Sequence, residues 1–479
     1  MLKSIIKNII SIKKIDGYRV LILFGKKIYS PFNKYKIYNS VLPSYKELRS
    51  QNLEITRRSS TVSSVLSDII SCQTLHRIKE KELKEKVRNG KKIRVCFFLD
   101  EISKWSSKSV YQAMLEHPMF EPFLVLYNAY DTMRADDRIW NEYSNQYRIL
   151  KEKGYNVYPG YDENRNFISL EYYEPDIVFF STPYLSYADS LLSVEYININ
   201  YLVCYVNYGM NTINLYEYHY NNRHLYTAWK HFVETREDYE EIMAYSSSCG
   251  VNTVLTGYPK LDAYTKSIDK ECIHEKINNG KPIVIYAPHW SIRLPTEAHD
   301  LATFHIYSDY FLTLVKQYPH INFVFKPHPN LSKTVVNKGI MTAEKYDLYI
   351  QEWNSQANGL CLFDGDYIEL FKQSSLLITD SGSFIGEWLP SGNPCMYLVN
   401  PRRNPKRYME GFSLMGRKIL EQYYLCYTKE DIANYFHILM EEKNDKKKDA
   451  RMQLQSEIFI NIGCAGSKIV EYLHHYLSK

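Results

Sequence analysis

No apolar run in this sequence is long enough to cross a bilayer, which takes about 18 residues in a helix. The longest runs, such as the one around residues 21–24, are far shorter. The N-terminus also lacks a small-residue cleavage site after its apolar stretch, so a secretory signal is not expected. We therefore predict a cytoplasmic protein without a transmembrane helix.

Paired cysteines and clustered metal ligands are missing as well. The nine cysteines are scattered singly, with no CxxC motif and no histidine at zinc-ligand spacing. They are interpreted as reduced, mostly buried small hydrophobic residues. No carboxylate cluster demands a metal, so neither a metal nor another cofactor is expected.

Acidic residues are nearly absent from the first 36 positions. That segment holds nine Lys or Arg against the single acid Asp16, a net charge of +8, whereas the whole chain carries +5. The rest of the chain is therefore slightly acidic in sum. This argues against a nucleic-acid groove spread over the folded body, and no nucleic-acid partner is expected.

The first fifteen residues combine this positive charge with apolar periodicity. On a helix their Leu and Ile residues share one side, and Lys3, Lys7 and Lys14 line one edge. This pattern is typical of a basic amphipathic helix on an anionic membrane surface. The alternative is a helix packed on the protein's own body with solvated lysines. Residues 1–90 are predicted to form this leader and a helical connector, with residues 1–36 contacting the inner face of the cell membrane.

From residue 91 onward, strand-like and helix-like segments alternate. Nearly continuous apolar runs, typical of buried parallel strands, lie at 93–100, 123–127, 175–180 and 201–206. The pattern restarts at 281–290 and recurs at 320–329, 359–364, 374–380 and 394–399. It predicts two doubly wound α/β domains, 91–255 and 256–455, facing across a cleft. Residues 456–479 are predicted to form a C-terminal helix that packs back on the first domain.

The strongest local signal is LLITDSGSFIGEWLPSGNP at 376–394. A buried strand is followed by a polar run where a helix starts, namely Thr379, Asp380, Ser381, Gly382 and Ser383. Hydroxyls and a glycine at a helix N-terminus suit a phosphate, and Glu387, one turn later, suits ribose hydroxyls. The alternative is that Asp380 or Ser381 only caps the helix.

Two further polar segments follow strands of the second domain. KPHPN offers Lys326 and His328 on a backbone stiffened by two prolines, which suits an anion. YAPHWSIR offers His289 and Arg293. A lone histidine in such a turn is more often an ordinary hydrogen-bonding group, Trp290 fits core packing, and Arg293 fits a solvated surface.

Together and in this order, these segments resemble the CDP-glycerol glycerophosphotransferases, the teichoic-acid-type polymerases and primases of GT-B fold. The similar segments are YAPHWSIR, KPHP, ITDSGS, PCMYLV (394–399) and KRYMEGF (406–412), and TGYPKLD (256–262) is similar to a hinge region of the family. The resemblance implies two Rossmann-like domains, an acceptor side in the first and a nucleotide-donor side in the second, and no metal.

The resemblance implies specific roles as well. The donor diphosphate is expected to be held by Ser381, Gly382 and Ser383, with Thr379 and Asp380 beside them. Glu387 is expected to bind the ribose.

The leaving group and the transferred phosphate have their own expected contacts. Negative charge on the leaving CMP is expected to be stabilised by His328 and Lys326. The transferred phosphate is expected to contact His289 and Arg293.

The acceptor side departs from the family pattern. Tyr208 in VNYGMN stands where the family has a basic histidine, and a tyrosine of ordinary pKa is a poor base at neutral pH. Asp100 and Glu101, after the first strand, are the other candidates for activating the acceptor. TDSGS with Glu387 is also similar to the nucleotide site of UDP-N-acetylglucosamine 2-epimerases.

The sequence therefore predicts a transferase that moves glycerol phosphate, or another polyol phosphate, from a CDP-activated donor to a hydroxyl of a surface-glycan or lipid-linked acceptor. One alternative is a GT-B glycosyltransferase that uses a nucleotide sugar in capsule or cell-wall synthesis. Another is a catalytically silent nucleotide-binding or scaffold protein, suggested by the missing acceptor-side histidine.

Overall fold

The described part of the chain forms two parallel sheets, each within an α/β domain, and one small antiparallel sheet. The computed structural model describes residues 10–15, 18–23, 26–28, 45–127, 137–180, 182, 194–268, 274–292, 300–363 and 367–479. The strands are β1 Ile10–Ile15, β2 Tyr18–Leu23, β3 Lys26–Ile28, β4 Ile93–Leu99, β5 Phe120–Leu126, β6 Val157–Pro159, β7 Ile177–Phe180, β8 Leu202–Val206, β9 Lys230–Val233, β10 Thr253–Leu255, β11 Ile283–Ala287, β12 Asn322–Phe325, β13 Gly359–Cys361, β14 Leu376–Thr379, β15 Cys395–Leu398 and β16 Tyr424–Cys426.

The α-helices mostly connect these strands. They are α1 Tyr45–Arg88, α2 Lys108–Glu116, α3 Asp137–Glu152, α4 Val194–Asn200, α5 Tyr216–His219, α6 Arg223–Thr227, α7 Arg236–Tyr245, α8 Phe304–Gln317, α9 Leu331–Asn337, α10 Ala343–Ser355, α11 Tyr367–Gln373, α12 Gly382–Trp388, α13 Leu414–Glu421, α14 Lys429–Phe436, α15 Lys448–Ile458 and α16 Ala465–Ser478.

The first α/β domain has seven parallel strands in the order β10-β9-β8-β7-β4-β5-β6. Its central strands are apolar on both faces because helices cover the sheet on both sides, and β4 is almost completely buried. The strand order reverses between β4 and β7. The carboxyl ends of these two strands therefore flank a topological switch point, where doubly wound folds bind ligands.

The second α/β domain has six parallel strands in the order β13-β12-β11-β14-β15-β16. This is the Rossmann order, with its switch point between β11 and β14. The predicted fold of two Rossmann-like domains in GT-B arrangement is confirmed.

The C-terminal helix α16 returns to the first domain. Asp262 accepts hydrogen bonds from the N–H groups of Ala465 (2.9 Å) and Gly466 (2.8 Å) and so caps this helix. The rings of Tyr472 and Tyr476 contact Phe232 and Trp229 of the first domain. The last helix of the chain therefore packs on the first domain and helps to tie the two domains together.

The predicted amphipathic helix over residues 1–15 is wrong for residues 10–15. These residues form strand β1, which pairs antiparallel with β2, and β2 pairs with β3. The register places Ile15 opposite Tyr18, so two residues connect the strands, and the sequence there is Asp-Gly. Asp-Gly is the preferred pair for such a hairpin, and β-branched isoleucines favour strands. Residues 1–9 lie outside the described residues.

Within the described ranges, no helix is long and apolar enough to cross a membrane.

Candidate active site

One large cleft lies between the two α/β domains, where both switch points face each other. Its volume is about 690 Å³, within the range of roughly 300 to 1,000 Å³ typical of small-molecule sites. One wall is formed by residues that follow β4 and β5 and by α3. The opposite wall is formed by residues that follow β11, β12 and β14.

The segment 207–215, which follows β8 in the first domain, makes backbone hydrogen bonds to the second domain. Thr212 O accepts a hydrogen bond from Ser413 N at 2.9 Å, and Gly411 O accepts one from Asn214 N at 3.0 Å. Gly416 lies so close that an added Cβ would be 2.1 Å from Thr212 O. The segment that the resemblance places on the acceptor side is therefore held against the second domain by backbone contacts.

Thr379 and Asp380 lie behind the cleft surface and are fully buried. Thr379 Oγ1 donates to Ala287 O at 2.6 Å. Asp380 accepts from the backbone N–H groups of His289 and Thr303, each at 2.5 Å, and from the Thr303 hydroxyl at 2.7 Å. Burial raises the pKa of Asp380 to about 6, against these hydrogen bonds, which lower it. Asp380 thus positions the loop that carries His289.

Ser381 and Ser383 line the cleft at the start of α12. Gly382, between them, packs against the first domain, because an added Cβ would be 2.6 Å from Ile213 Cγ1. The glycine in this run is therefore explained by close packing between the domains, and the two serines present the polar surface. The diphosphate contacts assigned to this run from the sequence stay predictions.

Glu387 is completely buried one layer below the cleft. Its carboxylate accepts hydrogen bonds from Tyr367 (2.6 Å) and Tyr258 (3.2 Å), and Lys260 Nζ lies 3.7 Å away. Burial raises the pKa of Glu387, although Lys260 and the two tyrosines lower it. In this structure Glu387 positions Lys260 and Tyr367, which do line the cleft. Its predicted contact with ribose stays a prediction.

Lys260 joins both walls at the base of the cleft. Its ammonium group donates to the backbone oxygens of Ser103 and Tyr208, both at 3.3 Å, and to the Tyr367 hydroxyl. It belongs to TGYPKLD, the segment whose sequence is similar to a hinge region of the family.

Lys326 and His328 form the centre of the second-domain wall. Lys326 Nζ donates to Phe363 O at 2.6 Å, and its side chain is largely buried. The ring of His289 lies 5.2 Å from the ring of His328, and its Nδ1 lies 2.7 Å from Ser291 Oγ. The segments YAPHWSIR and KPHPN, which the sequence analysis places after two different strands, are therefore in contact.

The imidazole of His328 is held in its neutral form. Burial, with smaller contributions from the charges of Lys104 and Lys326, lowers its pKa to about 3. Asn330 N donates to His328 Nδ1 at 3.1 Å, so the ring proton is on Nε2. His328 can therefore donate one hydrogen bond from Nε2, but it carries no positive charge at neutral pH.

The first-domain wall contains Asp100, Glu101 and Tyr208. Lys104 Nζ lies 2.9 Å from Asp100 Oδ2 and 3.2 Å from Glu101 Oε2. Burial alone lowers the pKa of Lys104, but the two carboxylates raise it above its ordinary value. Both carboxylates are thus ion-paired. Tyr208 is 38% exposed at the cleft surface.

Arg293 lies outside the described residues. In the described part of the chain, no group of three or more His, Cys, Asp or Glu residues is arranged to hold a metal ion. The expectation of a metal-free enzyme stays a prediction.

Sequence reasoning missed several residues of the cleft, above all Lys104, Lys260, Tyr127 and Tyr367. Tyr127 directly follows β5, and such a strand-end position was a usable signal. Lys260 and Tyr367 meet because residues 259–265 pack against α11, and no spacing in the sequence shows this.

Two Rossmann-like domains that face each other across a cleft at their switch points define a GT-B protein. Residues 205–473, more than half of the chain, match the model of the "CDP-Glycerol:Poly(glycerophosphate) glycerophosphotransferase" family. The chain belongs to this family, and the resemblance noted in the sequence is confirmed. It is therefore a transferase.

Solved structures agree with this fold. A variant of the wall teichoic acid polymerase TagF soaked with CDPG is 15% identical, covering 87% of this chain and 98% of that chain with a TM-score of 0.51. A putative UDP-N-acetylglucosamine 2-epimerase from Listeria monocytogenes is 17% identical, covering 81% of this chain and 98% of that chain with a TM-score of 0.51. Identities this low show the fold alone. No curated protein matches the chain significantly.

Proposed function

We propose that the protein transfers glycerol phosphate, or a closely related polyol phosphate, from a CDP-activated donor to a hydroxyl group of a surface-glycan or lipid-linked acceptor. The acceptor oxygen forms a bond to the phosphorus distal to cytidine. The bond from that phosphorus to the bridging oxygen breaks, CMP leaves, and the acceptor's proton is released.

The observation that carries this proposal is the charge of the second-domain wall. It presents Lys326, Lys333 and the neutral donor His328, beside the hydroxyls of Ser381 and Ser383. Among the described residues of this wall there is no acidic side chain. Such a surface suits a diphosphate, and it lies in the part of the chain that the family model matches.

In this mechanism the wall acts by positioning and electrostatics, which can supply most of the catalysis of a phosphoryl transfer. His328 Nε2–H donates to a phosphate oxygen, and the Lys326 ammonium group balances the charge that develops on leaving CMP. Lys260, at the base of the cleft, adds a third positive charge that both domains hold in place.

A donor titration with the full chain tests this function. Calorimetry with CDP-glycerol, CDP-ribitol and a panel of UDP-sugars is expected to show binding of a CDP-polyol and none of comparable strength by UDP-sugars. Preference for a UDP-sugar would instead support the glycosyltransferase alternative. Absence of binding by every nucleotide would contradict the transferase proposal.

A further inference from the structure

One corner of the cleft lacks the basic histidine that the resemblance implies. Tyr208 stands at that position. The backbone beside it touches the predicted diphosphate segment, because an added Cβ on Gly209 would be 3.3 Å from Ser383 Cβ. When an acceptor hydroxyl attacks a phosphate held by this segment, its proton must therefore pass to another group in this corner.

Lys260 and Tyr367 occupy this corner. Both side chains line the cleft. Lys260 Nζ donates to Tyr208 O at 3.3 Å and also to the hydroxyl oxygen of Tyr367. The Tyr367 hydroxyl is thus fixed, through one ammonium group, beside the position where the family has its histidine.

Tyr367 connects the cleft to a completely buried carboxylate. Its hydroxyl donates to Glu387 Oε2 at 2.6 Å, and the hydroxyl of Tyr258 donates to Glu387 Oε1 at 3.2 Å. Glu387 and Tyr258 are both buried, whereas Tyr367 lines the cleft. A proton from the cleft can therefore reach Glu387 through Tyr367.

The Glu387 carboxylate is suited to accept a proton. Burial raises its pKa, although Lys260 and the two tyrosines lower it. Two further titratable groups lie near it: Glu234, which follows β9, and Tyr264, whose hydroxyl donates to the Glu387 backbone oxygen at 2.7 Å. Burial raises the pKa of each well above its usual value, so both stay uncharged at neutral pH. A carboxylate with a raised pKa takes up a proton more readily than an ordinary one.

We propose that Tyr367 takes the proton of the acceptor hydroxyl and passes its own proton to Glu387, while Lys260 holds both groups in place. This inference rests on the proposed function. As the acceptor oxygen bonds to phosphorus, its O–H bond breaks and the proton moves to the Tyr367 oxygen. The Tyr367 proton moves to Glu387 Oε2, and CMP leaves with the bridging oxygen. Glu387 then returns its proton to the cleft through Tyr367.

This relay gives the buried ion pair a role in the reaction. Lys260 Nζ lies 3.7 Å from Glu387 Oε1. When Glu387 gains the proton, the ammonium charge of Lys260 is no longer balanced, at the moment when negative charge develops on CMP. No free phenolate forms, because Tyr367 gains one proton as it loses another.

Glu387→Gln tests the proton acceptor. Single-turnover CMP formation from saturating CDP-glycerol, with a synthetic saccharide-lipid as acceptor, is expected to fall about 10²- to 10⁴-fold. Donor affinity, measured by calorimetry, is expected to stay within about three-fold. The wild-type rate should fall as pH drops through the pKa of Glu387, since only the carboxylate accepts the proton, and Glu387→Gln should lose this dependence.

Glu369→Gln is the matched control, because Glu369 is a buried acid on α11 that pairs with Lys372. It should keep the wild-type rate and pH profile. A near wild-type rate in Glu387→Gln overturns the inference. A loss confined to donor affinity also overturns it, because that is the result expected of a ribose contact.

The two tyrosines separate a relay from structural support. Tyr367→Phe is expected to lower the rate about as much as Glu387→Gln. Tyr258→Phe should keep the rate at high pH within about three-fold and move the acidic limb of the profile to higher pH, since a lost hydrogen bond raises the pKa of Glu387. Equal rate losses in both variants at every pH would show a purely structural cluster and overturn the relay.

The wild-type chain separates the two levels of failure. If it neither binds a CDP-polyol nor forms CMP, the proposed function itself fails. If it forms CMP and both Glu387→Gln and Tyr367→Phe keep that rate, only this inference fails.

Discussion

His328 shows how two neighbouring charges and burial determine what a histidine can do. Its pKa is lowered to about 3 by burial and by Lys104 and Lys326, so in the folded protein it is a neutral hydrogen-bond donor. The lysines supply positive charge, whereas the neutral imidazole donates one hydrogen bond in a fixed direction. Sequence reasoning identified His328 and Lys326 but could not separate these roles, because Lys104 comes from the other domain.

His328→Ala is expected to lower the rate of CMP formation about 10²- to 10³-fold, the usual effect of removing one preorganised donor to a developing negative charge. The fold should persist, because the side chain lies at the cleft surface. His320→Ala is the matched control, since His320 is an exposed histidine of the same domain that pairs with Glu441. CMP formation by His328→Ala at a rate near that of the wild type would remove His328 from the mechanism.

The pH dependence of His328 follows from the sign of its pKa shift. The folded value of about 3 lies below the ordinary 6.5, so the unfolded chain binds the proton more readily. Its stabilising contribution is complete above pH 6.5 and is lost as pH falls towards 3. In an NMR titration of the full chain, the His328 ring signal should not shift between pH 8 and pH 5. A midpoint near 6.5 would contradict the neutral donor.

Tyr127 and Tyr143 give opposite expectations for stability although both line the cleft. The Tyr143 hydroxyl accepts from Gly160 N at 3.0 Å, so Tyr143→Phe leaves a buried N–H unsatisfied and should cost about 1–3 kcal/mol. Tyr127→Phe removes a hydroxyl with no described partner and should cost nothing or stabilise slightly. Urea unfolding of both variants measures the difference, and equal losses would show that the Tyr127 hydroxyl is satisfied.

At the scale of elements, the segment 207–215 depends on close approach of helix α13. Gly416→Ala brings a Cβ to 2.1 Å from the backbone oxygen of Thr212 and should destabilise the protein by about 1–3 kcal/mol, with loss of activity. Gly386→Ala, on α12, meets only side-chain atoms of Met210, with Sδ at 2.8 Å and Cβ at 3.2 Å, and should cost less than Gly416→Ala because no backbone atom has to move. Thermal unfolding compares them. If both variants unfolded at the same temperature, the contact between Gly416 and Thr212 would not be what holds the two domains together.

Elements with long, fully buried apolar runs were predictable from the sequence, and the N-terminal leader was not. Strands β4, β11 and β14 are almost entirely apolar and buried, as is typical of strands in a parallel sheet covered on both faces. In the leader, apolar residues fit both a helical and a strand period. The Asp-Gly pair between residues 15 and 18 was the signal that favours the hairpin.

At the scale of the whole molecule, the basic leader is proposed to place the enzyme at an anionic membrane surface, where lipid-linked acceptors lie. The strands β1 to β3 now carry Lys13, Lys14, Arg19, Lys26 and Lys27 in one small sheet instead of along a helix. Each cation near an anionic surface contributes about 1 kcal/mol of attraction, so an electrostatic anchor does not require a helix.

Replacing these five residues with Gln is therefore expected to abolish cosedimentation with vesicles that contain phosphatidylglycerol, with donor affinity unchanged. Wild-type chain with purely zwitterionic vesicles, and at 0.5 M salt, is the control and should stay in the supernatant. Unchanged cosedimentation of the variant would refute an electrostatic anchor.

The central claim is that the cationic wall of the second domain binds a CDP-activated polyol. The most direct test is calorimetric titration of the full chain with CDP-glycerol beside UDP-N-acetylglucosamine. The account predicts saturable binding of CDP-glycerol that is weakened at least about ten-fold by Lys326→Ala, and no comparable binding of the UDP-sugar. Binding of the UDP-sugar alone, or CDP-glycerol binding that Lys326→Ala leaves intact, would contradict it.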